Sequence, residues 1–91
     1  MYGEVRNRIL YTAITLRLGD EQSRKHILEY MPEVRDRILK VLSAQKLTQV
    51  QTPEGRQALS TAIKIELSRP FAVQLPGPSV DDVLFTAFVV Q

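Results

Sequence analysis

Residues 81–91, DDVLFTAFVVQ, carry the reading of this chain. They read as a β-strand with apolar side chains on both faces. A strand alternates its side chains, so Val83, Phe85, Ala87 and Val89 fall on one face. Leu84, Phe88 and Val90 fall on the other, with Thr86 among them. Left as an open edge, such a strand would template aggregation. The expectation is that it lies between other elements or against a partner, with both faces covered and the chain ending inside its own fold.

Working back from that strand, residues 69–79 (RPFAVQLPGPS) hold three of the five prolines and read as an extended connection. Ahead of them, Thr52-Pro53-Glu54 is a helix start: a threonine cap, a proline at the first position and an acid in the first turn. That helix is expected over about 53–68, with Leu59, Ala62, Ile63 and Leu67 as its apolar stripe and Ile65 off it. Residues 47–51 (LTQVQ) alternate and could add a short edge strand. Ile27, Met31, Val34, Ile38 and Val41 recur at helical spacing, widened by Leu28, Leu39 and Leu42. Pro32 divides this stretch into helices over about 20–30 and 32–44, because proline suits a first turn but not an interior. Asp20 is the cap of the first. Glu21 with Lys25, Glu33 with Arg37 and Asp36 with Lys40 stand at pairing distance on a solvated face. Residues 8–18 (RILYTAITLRL) form the other long strand, with Leu10, Thr12, Ile14, Leu16 and Leu18 on one face and Gly19 ending it.

The fold class is therefore α+β. One domain over residues 1–91 holds strands at about 8–18 and 80–90, a possible short edge strand at 47–51, and three helices packed on one face of the sheet.

The bulk numbers are those of a soluble globular domain: 44% hydrophobic and 24% charged residues over 91 positions. The formal net charge of +2 is too small to name a partner. No cysteine is present, which excludes disulfides and thiolate metal sites. No apolar run reaches the ~20 residues that a membrane-spanning helix needs, and no signal peptide is visible. His26 is the single histidine, between charged neighbours, and reads as a surface or half-buried structural residue; alone it cannot supply a zinc site. No nucleophile elbow, phosphate loop or dinucleotide fingerprint occurs, and the four glycines are scattered. Asp81 and Asp82 point to opposite faces of a strand, so they form no carboxylate dyad; they mark the strand's entry. Arg6, Arg8, Arg17, Arg24 and Lys25 do not share one face, which argues against nucleic acid. The reading assigns no catalytic, cofactor-binding or metal residues, no cofactor and no small-molecule substrate. It describes a binding or scaffolding module.

Four stretches in order sharpen this: NRILYTAITLRLGDEQSRKH at 7–26, YMPEVRDRILKVLS at 30–43, TPEGRQAL at 52–59 and DDVLFTAFVVQ at the close. Together they resemble the periplasmic domain of the FliL family of flagellar basal-body proteins. That family has a strand ending near Leu-Arg-Leu before an acidic cap, a Pro-Glu-Val-Arg helix start, a Pro-Glu-Gly helix start and a terminal Phe-Thr-x-Phe strand. The resemblance covers about residues 5–91. It implies a stomatin-like fold and a non-enzymatic part of the flagellar motor. It also implies two partners, the flagellar stator subunits and further copies of itself in a ring-like, membrane-anchored homo-oligomer, with support of torque as the outcome. A cytoplasmic tail, one inner-membrane helix and a linker are expected ahead of residue 1, which would place the domain in the periplasm. The alternative is a generic small α+β interaction or adaptor domain unconnected with flagella. On the first reading the candidate contact surface is the charged outer face of the second helix, Arg35, Asp36, Arg37 and Lys40, with Arg6 and Arg8 at the start of the domain.

Overall fold

The computed structural model describes residues 10–90. Strand β1 (Leu10–Leu18) is followed by helices α1 (Glu21–Glu29), α2 (Met31–Ser43), α3 (Leu47–Val50) and α4 (Pro53–Leu67), and then by strand β2 (Val80–Val90). β1 and β2 pair antiparallel as a two-stranded sheet. The class is α+β, as expected, with four helices where three were expected.

The additional helix is a correction. Residues 47–51 are not an edge strand, for Leu47–Val50 is a helical turn. Positions 47 and 50 stand three apart, a helical rather than a strand spacing, and Val50 is fully buried. The turn is then locked to α4. The Thr52 hydroxyl donates to the Gln49 carbonyl (3.1 Å) and accepts from the Gly55 N–H (2.9 Å) as the N-cap of α4. Gly55 has a steric reason to be glycine: a β-carbon there would collide with the Gln49 carbonyl oxygen.

The other helix boundaries follow local chemistry. The Asp20 carboxylate caps α1 by accepting from the Ser23 N–H at 2.7 Å. Tyr30 leaves helical geometry between α1 and α2, and Pro32 sits in the first turn of α2, where its missing donor is not needed. The charge pairs differ in part from expectation. Asp36–Lys40 forms at 2.9 Å, but Glu21 pairs with Arg24 rather than Lys25. Arg37 turns away from Glu33 altogether.

Register holds the second correction. Ala13 lies opposite Ala87 and Ile14 opposite Phe85, so Thr86 is an inserted bulge residue; Asp81 is another, between Leu18↔Val80 and Arg17↔Asp82. Each bulge shifts the alternation by one. Phe85 and Phe88, expected on opposite faces, therefore share one, in edge-to-face contact with ring centroids 5.5 Å apart. β2 thus presents Val80, Val83, Phe85 and Phe88 to the helices, matching Leu18, Leu16, Ile14 and Thr12 across the pair. The outer face carries Tyr11, Ala13, Thr15 and Arg17 beside Val89, Ala87, Leu84 and Asp82. Among the described residues no element covers it, and Tyr11 is 53% exposed. The strand that looked apolar on two faces gathers its large aromatic rings on one.

The core is Ile27, Val34, Val50, Leu59, Ile63, Leu67, Val80 and Val83. α4 supplies its centre, lying against both α2 and β2 with α3 at its first turn. Leu28, Leu39 and Ile65 stay more than half exposed and do not join it.

Candidate interaction surface

The charged residues of α2 divide into two groups. Asp36 and Lys40 pair with each other in solvent, a contact of ~0.2–0.5 kcal/mol. Arg35 is exposed and makes no ion pair among the described residues. Arg37 faces the opposite way. Its guanidinium donates to the carbonyls of Glu66 (2.8 Å), Arg69 (2.9 Å) and Pro70 (2.9 Å). A helix C-terminus leaves its last carbonyls unpaired, and Arg37 answers the end of α4 and the chain beyond it with one planar fork. The same guanidinium lies 4.2 Å from the centre of the Phe71 ring, which stacks on Tyr30 at 5.3 Å. Arg37 is thus a clamp on the 69–79 connection and not part of an outer charged face. Arg6 and Arg8 lie outside the described residues.

His26 is buried on α1, more deeply than the sequence implied, and its backbone carbonyl accepts the N–H of Tyr30. Ser23 beside it is also buried and accepts the Ser79 N–H at 2.8 Å, tying α1 to the entry of β2. Bonds from Ser23, its hydroxyl first and its backbone N–H second, hold the Asp20 carboxyl below its ordinary 3.8; slight desolvation opposes this and nearby His26 adds to it. Asp81 and Asp82 are exposed at the bulge, with Asp82 3.8 Å from Arg17 across the sheet. No group of three potential metal ligands occurs among the described residues.

A feature that the sequence reading missed lies between β1 and the first two helices. Ile14, Leu16 and Leu18 form one wall of an open groove of about 360 Å³; Ile27, Leu28, Met31, Val34 and Ile38 form the other, and Arg24 and Arg35 stand at its rim. Its signals in the sequence were Leu28, an apolar residue at the margin of the core stripe, and Arg35, a cation of α2 with no acid placed to pair with it.

The fold is that of a small α+β domain, a two-stranded antiparallel sheet backed on one face by a helical layer. Known proteins place it further. A family profile described as "Flagellar basal body-associated protein FliL" matches residues 2–91. The chain is 45% identical over 85 residues to the flagellar protein FliL of Escherichia coli strain K12, covering 93% of this chain and 55% of that one. It has the same identity and coverage with FliL of Shigella flexneri. With FliL of Aquifex aeolicus strain VF5 it is 32% identical over 79 residues, 87% of this chain and 47% of that one. The chain belongs to the FliL family of flagellar basal body-associated proteins. It spans about half the length of the curated relatives it matches. No helix among the described residues is long and apolar enough to cross a membrane.

Proposed function

We propose that the chain is the periplasmic, stomatin-like domain of a single-pass inner-membrane protein at the flagellar basal body, and that it acts as a scaffold without chemistry of its own. In this reading it associates with the stator, assembles with copies of itself around it, and supports torque and motility. The observation that carries the reading is the family match along nearly the whole chain, at 45% identity to a flagellar relative. The exposed surfaces are compatible with it: Arg35, Asp36 and Lys40 on α2 are available for weak polar contacts. Anchoring neighbours in a membrane plane raises their effective concentration, so that contacts too weak to hold free domains together suffice there.

The test uses the full-length gene product in a motile cell. Arg35→Glu combined with Lys40→Glu should leave the thermal transition of the domain nearly unchanged, while lowering co-purification with stator subunits and swimming speed in viscous medium. Arg37 is excluded from this pair because its clamp would confound the result. Undiminished stator association and motility would remove these residues from the contact. Full motility under load after deletion of residues 10–90 would remove the scaffold reading itself.

A further inference from the structure

Residues 69–77 leave the end of α4 and return to the point they left. A β-carbon on Gly77 would collide with the Ser68 carbonyl oxygen, so the two ends of the segment are in contact. A compact surface loop whose ends meet is an Ω-loop. Its neck can stay shut while the loop swings, so α4 and β2 need not move with it. None of its residues is buried; Phe71, Ala72 and Leu75 are half-buried and the rest exposed. Its backbone bonds are local: the Arg69 N–H donates to the Glu66 carbonyl (3.3 Å) and the Leu75 N–H to the Ala72 carbonyl (3.2 Å). Pro70 and Pro76 have no N–H to give. Few buried contacts and few backbone bonds mark a segment that opens at a lower free energy than the whole domain.

What holds the loop shut comes from α2 and the residue before it. Arg37 donates to the Arg69 and Pro70 carbonyls within the loop and to the Glu66 carbonyl at its root. Phe71, which packs against the core, meets the Arg37 guanidinium and stacks on Tyr30. Apart from Glu66, no other side chain outside the loop hydrogen-bonds to it among the described residues. The arginine also has a second acceptor within reach. Glu33 is exposed one turn earlier on α2, four residues before Arg37, in the order that favours an acid–base pair on a helix.

We propose that residues 69–77 form a hinged lid that opens as a unit about the Ser68–Gly77 neck, with Arg37 as its latch and Glu33 as the partner of Arg37 in the open state. Shut, the guanidinium makes its fork on the loop carbonyls; open, it pairs on its own helix. Opening frees Phe71 beside Val73, which is 100% exposed already, and leaves the α4–β2 core folded. The device is built from contacts made within the described residues. It holds whatever the domain associates with, so it stands apart from the stator reading.

The experiment follows amide hydrogen exchange of the 91-residue chain by NMR at increasing urea. The amides of Arg69 and Leu75 should exchange faster than those of Leu59 and Ile63 and at a rate that low urea does not change, whereas Leu59 and Ile63 should follow global unfolding. Arg37→Ala should speed Arg69 and Leu75 by the same factor, at least ~10-fold, the scale of a lost charged donor. Glu33→Gln should slow both about twofold, the scale of one helical ion pair, and should do nothing once Arg37 is alanine. That reversal of sign separates a latch with two positions from an arginine that only adds stability. If Arg37→Ala fails to fold, the urea series on the parent and the Glu33→Gln variant decide alone. Loop and core amides sharing one rate and one urea dependence would overturn the proposal. So would unequal factors at Arg69 and Leu75, which would mean fraying rather than a lid, or faster or unchanged loop exchange in Glu33→Gln.

Discussion

The two halves of this domain share one sheet but differ in how they use it. On the β2 side, α4 places Leu59, Ile63 and Leu67 at 1% exposure or less against Val80 and Val83, and Ser60 bonds to the strand's outer edge. On the β1 side, Ile14, Leu16 and Leu18 are only half-buried, Met31 and Ile38 stand back from them, and a groove remains between. Both halves carry aliphatic side chains at the right period. What separates them is how closely a helix approaches: α4 packs along β2 and bonds to it through Ser60, whereas α1 and α2 touch β1 only sparsely. Stability therefore resides mainly in the β2 half, and open apolar surface in the β1 half.

The largest expected effect tests that division directly. Leu67→Ala, at a fully buried position, should cost ~3–5 kcal/mol, and Ile14→Ala ~1–2 kcal/mol, because only part of its surface is removed from water. For a domain with roughly 5–10 kcal/mol of total stability, the first approaches unfolding and the second does not. Urea melts of the two variants would measure both; equal losses would mean that the β1 half is as tightly packed as the other.

Next in size is the contrast between two arginines of α2. Arg37→Ala should destabilise by about 2 kcal/mol, since three carbonyls lose a charged donor and Phe71 loses its cover. Arg37→Lys should recover only part of this, because a point charge cannot reproduce the fork. Arg35→Ala should stay within about 0.5 kcal/mol, as for other surface changes. Thermal melts giving the same small shift for all three would detach Arg37 from the end of α4.

The fold was legible where local chemistry decides it. Asp20 and Thr52 cap their helices as their neighbours dictate, Pro32 divides two helices, and Leu59, Ile63 and Leu67 announce the core by spacing alone. The errors arise where tertiary structure overrides a local pattern. Period-two alternation cannot show a bulge, so the sequence puts Phe85 and Phe88 on opposite faces, whereas the inserted Thr86 brings them onto one. The turn at 47–50 is held by Thr52 and by the space at Gly55, neither of which lies within it. The candidate surface was the least legible part. Arg37 looks like any solvated charge in RDR, and only the return of residues 66–70 reveals what it binds. The groove needs β1 and α2 to be placed side by side before it exists.

The two caps sharpen the comparison, because Thr52 starts the helix of the packed half and Asp20 that of the open half. Thr52→Ala should cost ~0.5–2 kcal/mol, and Thr52→Asp should be tolerated. The Ala value should lie at the upper end, because the hydroxyl also bonds to the Gln49 carbonyl and fixes α3. Equal losses from Ala and Asp, read in urea melts, would mean that the threonine methyl packs and that capping is secondary.

The smallest expected effect is the charge on Asp20, and pH isolates it. Its folded-state carboxyl titrates below the ordinary 3.8 because Ser23 hydrogen-bonds the ionised form. In the acid range the unfolded chain therefore binds more protons at this site than the folded one, and stability rises with pH there. The contribution is complete above the ordinary carboxylate range and is lost as pH falls through the lower folded value. Asp20→Asn keeps an accepting cap and removes the titration. The parent should be the more stable of the two at neutral pH, and the difference should shrink as pH falls below about 4, the ordinary aspartate value. Curves that stay parallel from neutral to strongly acid pH would show that α1 is held by the Asp20 oxygen as a hydrogen-bond acceptor and not by its charge, so the open half would owe nothing to electrostatics at this helix start.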